Sequence, residues 1–177
     1  MNSLTELGER AKVAARTLSC APTAQKNQAL CAIAQALREN KKRILEENDK
    51  DLLHAKANGM TESLQDRLRL TEQRIDGIAD ALLELVQMED PVGQVIGGGN
   101  RPNGLKIEKV RVPLGVIGMI FEARPNVTVD AASLCLKSSN VCILRGGKEA
   151  IHSNTVLSEI MREAIEAVGL PRDCVLL

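Results

Sequence analysis

VPLGVIGMIFEARPNVTVDAASLCLKSSNVCILRGGKEA, from Val112 to Ala150, is the stretch that decides how this chain folds. Leu114 to Phe121 is apolar apart from two glycines, the composition of a strand covered on both faces of a parallel sheet. Asn140 to Leu144 repeats that character. Between them Val127 to Ser138 has the length of a crossover helix, which parallel neighbours require. Strand, turn, helix and strand in that order read as half of a nucleotide-binding α/β unit.

Downstream, Val156, Leu157, Ile160, Met161, Ala164, Ile165 and Val168 form one stripe of a helix from about Ser153 to Val168, closed by Gly169. Cys174 to Leu177 then reads as the start of a third strand, so the sheet is expected to be incomplete. Upstream, the composition from Asp90 onward turns to Gly, Pro and β-branched residues. Gly93 to Ile96 and Leu105 to Val112 flank GGGNRPNG at Gly97 to Gly104, which predicts a hairpin with the glycine triplet in its turn. No GK[ST] follows the triplet, so a phosphate cradle is the weaker reading.

The first ninety residues carry helical spacing. Leu4, Leu7, Ala11, Ala14 and Leu18 predict a helix ending near Cys20, before Pro22. A second begins at Thr23 as N-cap, carries Leu30, Ile33, Ala34 and Leu37, and breaks near Asn40. Asn58 and Gly59 mark a stop, and Thr71 opens a helix bearing Ile75, Ile78, Leu82, Leu85 and Val86. Lys41, Lys42 and Arg43, followed by Glu46, Glu47, Asp49 and Asp51, read as a solvated helix face. The organisation predicted is helices over 1–89, a hairpin over 90–112, and a Rossmann-type half over 113–177.

Composition narrows the function. At 177 residues a single domain can bury roughly 70% of its unfolded surface. Basic and acidic residues balance at 23 each, so no global field attracts nucleic acid or an anionic membrane. One Phe and no Trp or Tyr leave no stacking platform for single strands. No apolar run is long enough to span a bilayer, and the polar start lacks a signal-peptide core, so a cytoplasmic location is expected. Cys20, Cys31, Cys135, Cys142 and Cys174 have neither CxxC spacing nor a histidine cluster, which indicates reduced, packed thiols and no metal. His54 and His152 read as separate surface residues.

PLGVIGMIFEARPNVTVDAASLCLKS at Pro113 to Ser138 and ILRGGKEA at Ile143 to Ala150 resemble the glutamate-5-semialdehyde dehydrogenases, or γ-glutamyl phosphate reductases, of the aldehyde dehydrogenase superfamily. DPVGQVIGGG at Asp90 to Gly99, the helical start and TESLQDRLRLT at Thr61 to Thr71 extend the likeness along the chain. The resemblance implies an α/β, aldehyde dehydrogenase-like fold: a helical N-terminal region, a β-hairpin arm that docks on another subunit, and an incomplete Rossmann-type parallel sheet. It also implies the NADPH-dependent reduction of L-glutamyl 5-phosphate to L-glutamate 5-semialdehyde in proline biosynthesis, by an enzyme that is a homo-oligomer at full length. Family members are longer, and their nucleophilic cysteine lies in a later, catalytic domain absent here. The isolated chain is therefore expected to be inactive. The reductase part of a bifunctional pyrroline-5-carboxylate synthase and a non-catalytic assembly fragment stand as alternatives.

Two strand exits carry the candidate site. After the second strand come Arg145, Gly146, Gly147, Lys148 and Glu149; basic groups there suit the 2′-phosphate of NADP, where an acid would suit the NAD ribose. In the superfamily a lysine at the Arg145 position contacts the adenosine ribose, and Lys148 stands near the place of the carboxylate. Glu149 would restore an acid one residue later, so the preference stays open. After the first strand, the resemblance places Arg124 beside the acyl phosphate or carboxylate and Asn126 as donor to a developing oxyanion. Local chemistry offers another reading, with Pro125 fixing the turn and Asn126 capping the next helix.

Overall fold

Each helix forms where apolar residues gather on one stripe, and polar punctuation ends it. The computed structural model describes residues 4–177, and in it α1 spans Leu4–Ser19, burying Ala11, Ala14, Ala15 and Leu18. α2 spans Thr23–Glu39. Its N-cap is Pro22 and not Thr23, because the Thr23 hydroxyl is directed to the Asp90 carboxylate at 2.6 Å. Asn40 separates α2 from α3, Lys41–Ala57, and donates both its backbone N–H and its side-chain amide to the Ala36 carbonyl. Gly59, at φ 72°, then supplies the left-handed turn that ends α3. α4, Glu62–Leu68, is a short helix that the periodicity did not reveal, and α5 spans Glu72–Gln87 with the Thr71 hydroxyl accepting from the Arg74 N–H.

β1, Val95–Asn100, and β2, Lys106–Val110, form an antiparallel hairpin exposed on both faces. The predicted boundary is corrected here: Gly97, Gly98 and Gly99 lie in β1 itself, and the turn is Arg101 to Leu105. The glycine requirement is cross-strand approach, since a Cβ on Gly98 would stand 2.3 Å from the Ile107 carbonyl oxygen.

β3, Val116–Ile120, β4, Val141–Arg145, and β5, Val175–Leu176, make a parallel sheet in the order β3-β4-β5. α6, Pro125–Lys137, and α7, Ile151–Ala167, are the crossovers. β4 is the central strand and buries Val141, Cys142 and Leu144. The expectation that the first strand is covered on both faces fails, because β3 is an edge strand among the described residues. Ile120 at its end and Leu114, two residues before its start, are 87% and 84% exposed.

One continuous core joins α1, α2, α5, α6 and α7 to β4 and β5. The helical region and the sheet therefore share their apolar interior. Their junction also holds a buried cation. Lys26, 1% exposed, reaches across from α2 to the Lys137 carbonyl, the Ser139 hydroxyl and the Asp90 carboxylate, the last at 2.6 Å. Ser139 turns the chain out of α6 at φ 58°, a conformation that a side chain other than glycine's adopts only with local support. Asn140 follows, and its side-chain oxygen accepts from the Gly115 N–H, setting the starts of β3 and β4 level. No helix among the described residues is long and apolar enough to cross a membrane.

Lys41 and Arg43, read as solvated, instead pair between elements: Lys41 with Asp76 of α5, and Arg43 with Glu159 of α7, both at 2.7 Å. Lys42, Arg43, Glu46 and Asp49 are exposed as expected, and of the face only Asp51 is buried. Arg10 of α1 and Arg162 of α7 similarly share the carboxylate of Asp173, just before β5.

Three substitutions test this packing. Burial alone would raise the Asp90 carboxyl, but hydrogen bonds from Lys26, Thr23 and the Val92 N–H hold it below its ordinary value of 3.8. Asp90→Ala leaves the Lys26 ammonium buried without its counter-charge, and is expected to cost about 3 kcal/mol by urea unfolding at neutral pH. Because the folded carboxyl titrates low, its contribution is complete above the unfolded value and is lost as pH falls through the folded one. The D90A deficit should accordingly shrink on acidification below about pH 4. At the other end of the sheet, a Cβ on Gly146 would lie 2.1 Å from the Asn154 amide nitrogen and 3.1 Å from the Phe121 ring. Asn154 is buried and held by Thr128, so it cannot swing aside. Gly146→Ala should lose about 1–3 kcal/mol. Gly147→Ala, which meets mainly the exposed end of Glu149, should stay within about 0.5 kcal/mol of the parent. Equal melting temperatures for the two variants would contradict this packing.

Candidate functional site

β3 and β4 deliver their ends to the same edge of the sheet. Ile120 pairs with Arg145, and one residue on, the Phe121 N–H donates to the Arg145 carbonyl at 3.0 Å. Glu122 to Asn126 and Arg145 to Glu149 therefore leave the sheet side by side. Gly146 lies against the Phe121 ring, and Gly147 against the backbone of Glu122 and Ala123.

After β4 the chain makes one 3-10 turn, Lys148–Ala150, that runs into α7. Arg145, Lys148 and Glu149 are exposed, and no ion pair engages any of them among the described residues. The amino end of α7 is not open to an anion. Asp51 of α3, 1% exposed, accepts there from the backbone N–H of His152 and Ser153 at 3.2 and 2.8 Å and from the Ser153 hydroxyl at 2.6 Å. Asn48, one turn earlier, donates to the Ser153 hydroxyl and the Leu68 carbonyl and accepts from the Leu70 N–H. A protein carboxylate thus occupies the position where a helix dipole would otherwise hold phosphate. What this exit offers a ligand is side-chain cations and close backbone, beside a cleft of about 470 Å³ that includes Arg145, Gly146, Asn154 and Leu177 in its wall.

After β3, Arg124 is the N-cap residue of α6 and Pro125 its first helical residue. The capping role weighed for Asn126 is not observed. Its amide sits inside the first turn and donates to the Asp130 carboxylate at 2.9 Å, one turn along the same helix. Burial pushes the Asp130 carboxyl up, and the Asn126 bond offsets this only in part. Arg124, Asn126 and Asp130 line one side of a second cleft, of about 510 Å³, whose other side is built by the end of α4, α5 and the loop between them. Arg67, Arg69 and Arg74 stand on that other side. The signal for them was visible in TESLQDRLRLT, but no spacing rule tied that segment to the β3 exit 50 residues away; Asp51 and Asn48 escaped for the same reason.

The cysteines separate into two groups, and all five are free. Cys135 and Cys142 are buried neighbours on α6 and β4, and the hydrogen bond to Cys135 together with burial pushes the Cys142 thiol up. Burial, helped by Asp173, pushes Cys174 up to about 12. Cys20, just after α1, and Cys31, on α2, both expected to pack, are exposed. The two histidines are not independent, because α3 lies along the start of α7 and sets the His54 and His152 rings 5.7 Å apart. No group of three or more His, Cys, Asp or Glu side chains among the described residues could hold a metal ion.

No family model matches the chain. It is 52% identical over 171 residues to a gamma-glutamyl phosphate reductase of Mannheimia succiniciproducens, a match that covers 97% of this chain and 41% of the relative. The crystal structure of gamma-glutamyl phosphate reductase from Thermotoga maritima superposes with a TM-score of 0.96 at 42% identity, covering 99% of this chain and 42% of that one. An NAD-dependent benzaldehyde dehydrogenase from Corynebacterium glutamicum shares the fold, with a TM-score of 0.72 at 20% identity over 99% of this chain and 36% of its own. The chain spans about two fifths of the curated relatives it matches. Sequence and backbone together place it in the γ-glutamyl phosphate reductase family, with the aldehyde dehydrogenase fold, as an N-terminal portion of such a protein.

Proposed function

We propose that this chain is the cofactor-binding part of an NADPH-dependent reductase that converts L-glutamyl 5-phosphate to L-glutamate 5-semialdehyde in proline biosynthesis. One observation carries the reading: the two candidate exits are adjacent, with Phe121 bonded to Arg145 and Gly146 against Phe121, in a chain about half identical to gamma-glutamyl phosphate reductases. Such adjacency serves a reaction in which a cofactor and an acyl carbon must meet at the carboxyl ends of parallel strands.

The residues present fit the cofactor at its adenosine end. Arg145 and Lys148 are exposed, unpaired cations suited to a ribose 2′-phosphate, and the glycines between them let backbone approach closely. Glu149 reaches back along Gly147 and leaves the cations to face the ligand. Because Asp51 fills the α7 amino end, the pyrophosphate is assigned no place there. When bound, the cofactor supplies a hydride. Arg124 orients the acyl phosphate, and Asn126 presents its amide beside the acyl oxygen, a fixed donor that never changes protonation. The Asp130 contact holds that amide's rotamer.

None of the five thiols suits the nucleophile: three are buried, and Cys20, after α1, and Cys31, on α2, do not belong to the strand exits. The nucleophilic cysteine is assigned to the part of the family protein that this chain does not match. The doubly exposed hairpin, with Val95, Ile96, Ile107 and Val110 uncovered, is assigned to docking on another subunit of a homo-oligomer. Five free thiols accord with the reducing cytoplasm.

The test is a pair of measurements on the purified chain. Glutamate semialdehyde, phosphate and NADP should give no reduced cofactor; turnover would refute the placing of the nucleophile elsewhere. NADPH should bind saturably, and Arg145→Ala with Lys148→Ala should weaken it about tenfold while changing NADH binding little. Equal losses for both cofactors would overturn the assignment of these cations to the 2′-phosphate.

A further inference from the structure

The cleft at the β3 exit contains more positive charge than its partners neutralise. Arg74 is committed: it pairs with Asp66 at 3.0 Å and donates to the Asp66 and Arg69 carbonyls, which fixes the turn between α4 and α5. The end of α4 and that turn in consequence present Arg67 and Arg69 to the cleft. Among the described residues neither guanidinium has a hydrogen-bond or ion-pair partner, and the same is true of the Arg124 guanidinium across from them. Of the cleft's two carboxylates, Asp66 is taken by Arg74 and Asp130 by the Asn126 amide. Asp130 is, moreover, the less able to stay charged, because burial raises its carboxyl. The first turn of α6 contains no acidic residue and no side-chain cap, so its partial positive charge adds to the three guanidiniums.

We propose that Arg67, in the last turn of α4, and Arg69, just after it, act with Arg124 as an anion site that holds the phosphoryl group of the substrate at the β3 exit. The proposal rests on the reading that Arg124 and Asn126 face the substrate, and it adds two specificity-determining residues from the helical region. A phosphoryl dianion presents three oxygens and suits several planar forks, whereas one carboxylate is satisfied by a single fork. Three unpaired guanidiniums in one cleft therefore match the phosphoryl end of an acyl phosphate better than its carboxylate end. Phosphate released on attack at the acyl carbon would leave from this same place, which makes inorganic phosphate a direct probe.

The experiment uses the 177-residue chain with arginine side chains labelled for NMR, titrated with inorganic phosphate and, separately, with acetate at matched ionic strength. Phosphate should move the Arg67, Arg69 and Arg124 side-chain signals saturably, and acetate should move them far less. Arg67→Gln with Arg69→Gln should weaken phosphate binding about tenfold, since both side chains are exposed and outside the core. Asp130→Asn, which removes the competing carboxylate, should tighten it. Phosphate affinity unchanged in the double variant, or acetate bound as well as phosphate, overturns the proposal. NADPH titration of the same variant should match the parent, and its outcome bears on the cations after β4, so the two assignments can fail separately.

Discussion

A buried ammonium fixes the geometry on which the rest of this structure depends. Lys26 is withdrawn from water between α2 and the turn that ends α6, and three acceptors meet it there, two from that turn and one from Asp90. Taking such a charge out of water is unfavourable unless every donor finds a partner. That requirement forces Asp90, the Lys137 carbonyl and Ser139 into one place. Lys137 continues the network, donating to Asn27 and to the Val86 carbonyl at the end of α5, and burial pushes its own ammonium down. The last turn of α5, the entry to the hairpin, α2 and the start of β4 are thereby tied at a single point. Apolar packing alone would tolerate sliding among these helices, but directional bonds to a buried cation do not.

A second polar network does the corresponding work at the opposite end of the sheet. Asn48 and Asp51 on α3 reach the start of α7 and the chain before α5, so one helical face determines both where α7 begins and where the arginine-bearing turn lies. The chemical consequence follows from electrostatics. Two of the orphan backbone donors at the head of α7 are spent on Asp51, while the first turn of α6 contains no acidic residue and no side-chain cap. The two helices that follow the two strand exits thus differ in what they can attract. This difference separates a cationic, side-chain-lined exit after β4 from an exit after β3 where helix dipole and guanidiniums act together.

How far the sequence discloses all this depends on the range of the interaction concerned. Strands, crossovers and most helix ends are local matters: Gly59, Thr71 and Gly169 each act within a turn of themselves, and the elements formed where their signals stand. α4 escaped because seven residues give too little periodicity to register. Asn126 misled because an asparagine after proline is good capping chemistry, yet Pro125 already lies inside the helix and passes the cap to Arg124. β3 misled because apolar composition measures what a strand would bury, not what is there to cover it. Asn48 and Asp51 act on partners 20 to 105 residues away, Arg67 and Arg69 share a cleft with Arg124 from a distant segment, and no pattern within one segment encodes that.

The same distinction explains why a chain of zero net charge can hold strongly cationic clefts. On the helical faces, arginines and lysines are matched by acids from neighbouring elements: Arg38 with Asp80, Lys41 with Asp76, Arg43 with Glu159, Arg10 with Asp173. Those pairs consume acidic residues where they make interhelical contacts. Among the described residues, five cations at or facing the strand exits, Arg67, Arg69, Arg124, Arg145 and Lys148, receive none. Since exposed ion pairs add little to stability, the helical faces gain only modestly from this distribution. At the exits the effect is larger, because an unpaired guanidinium beside low-dielectric walls attracts anions over several ångströms. Net charge summed over the chain conceals that division; the placing of the acids, which only the fold determines, creates it.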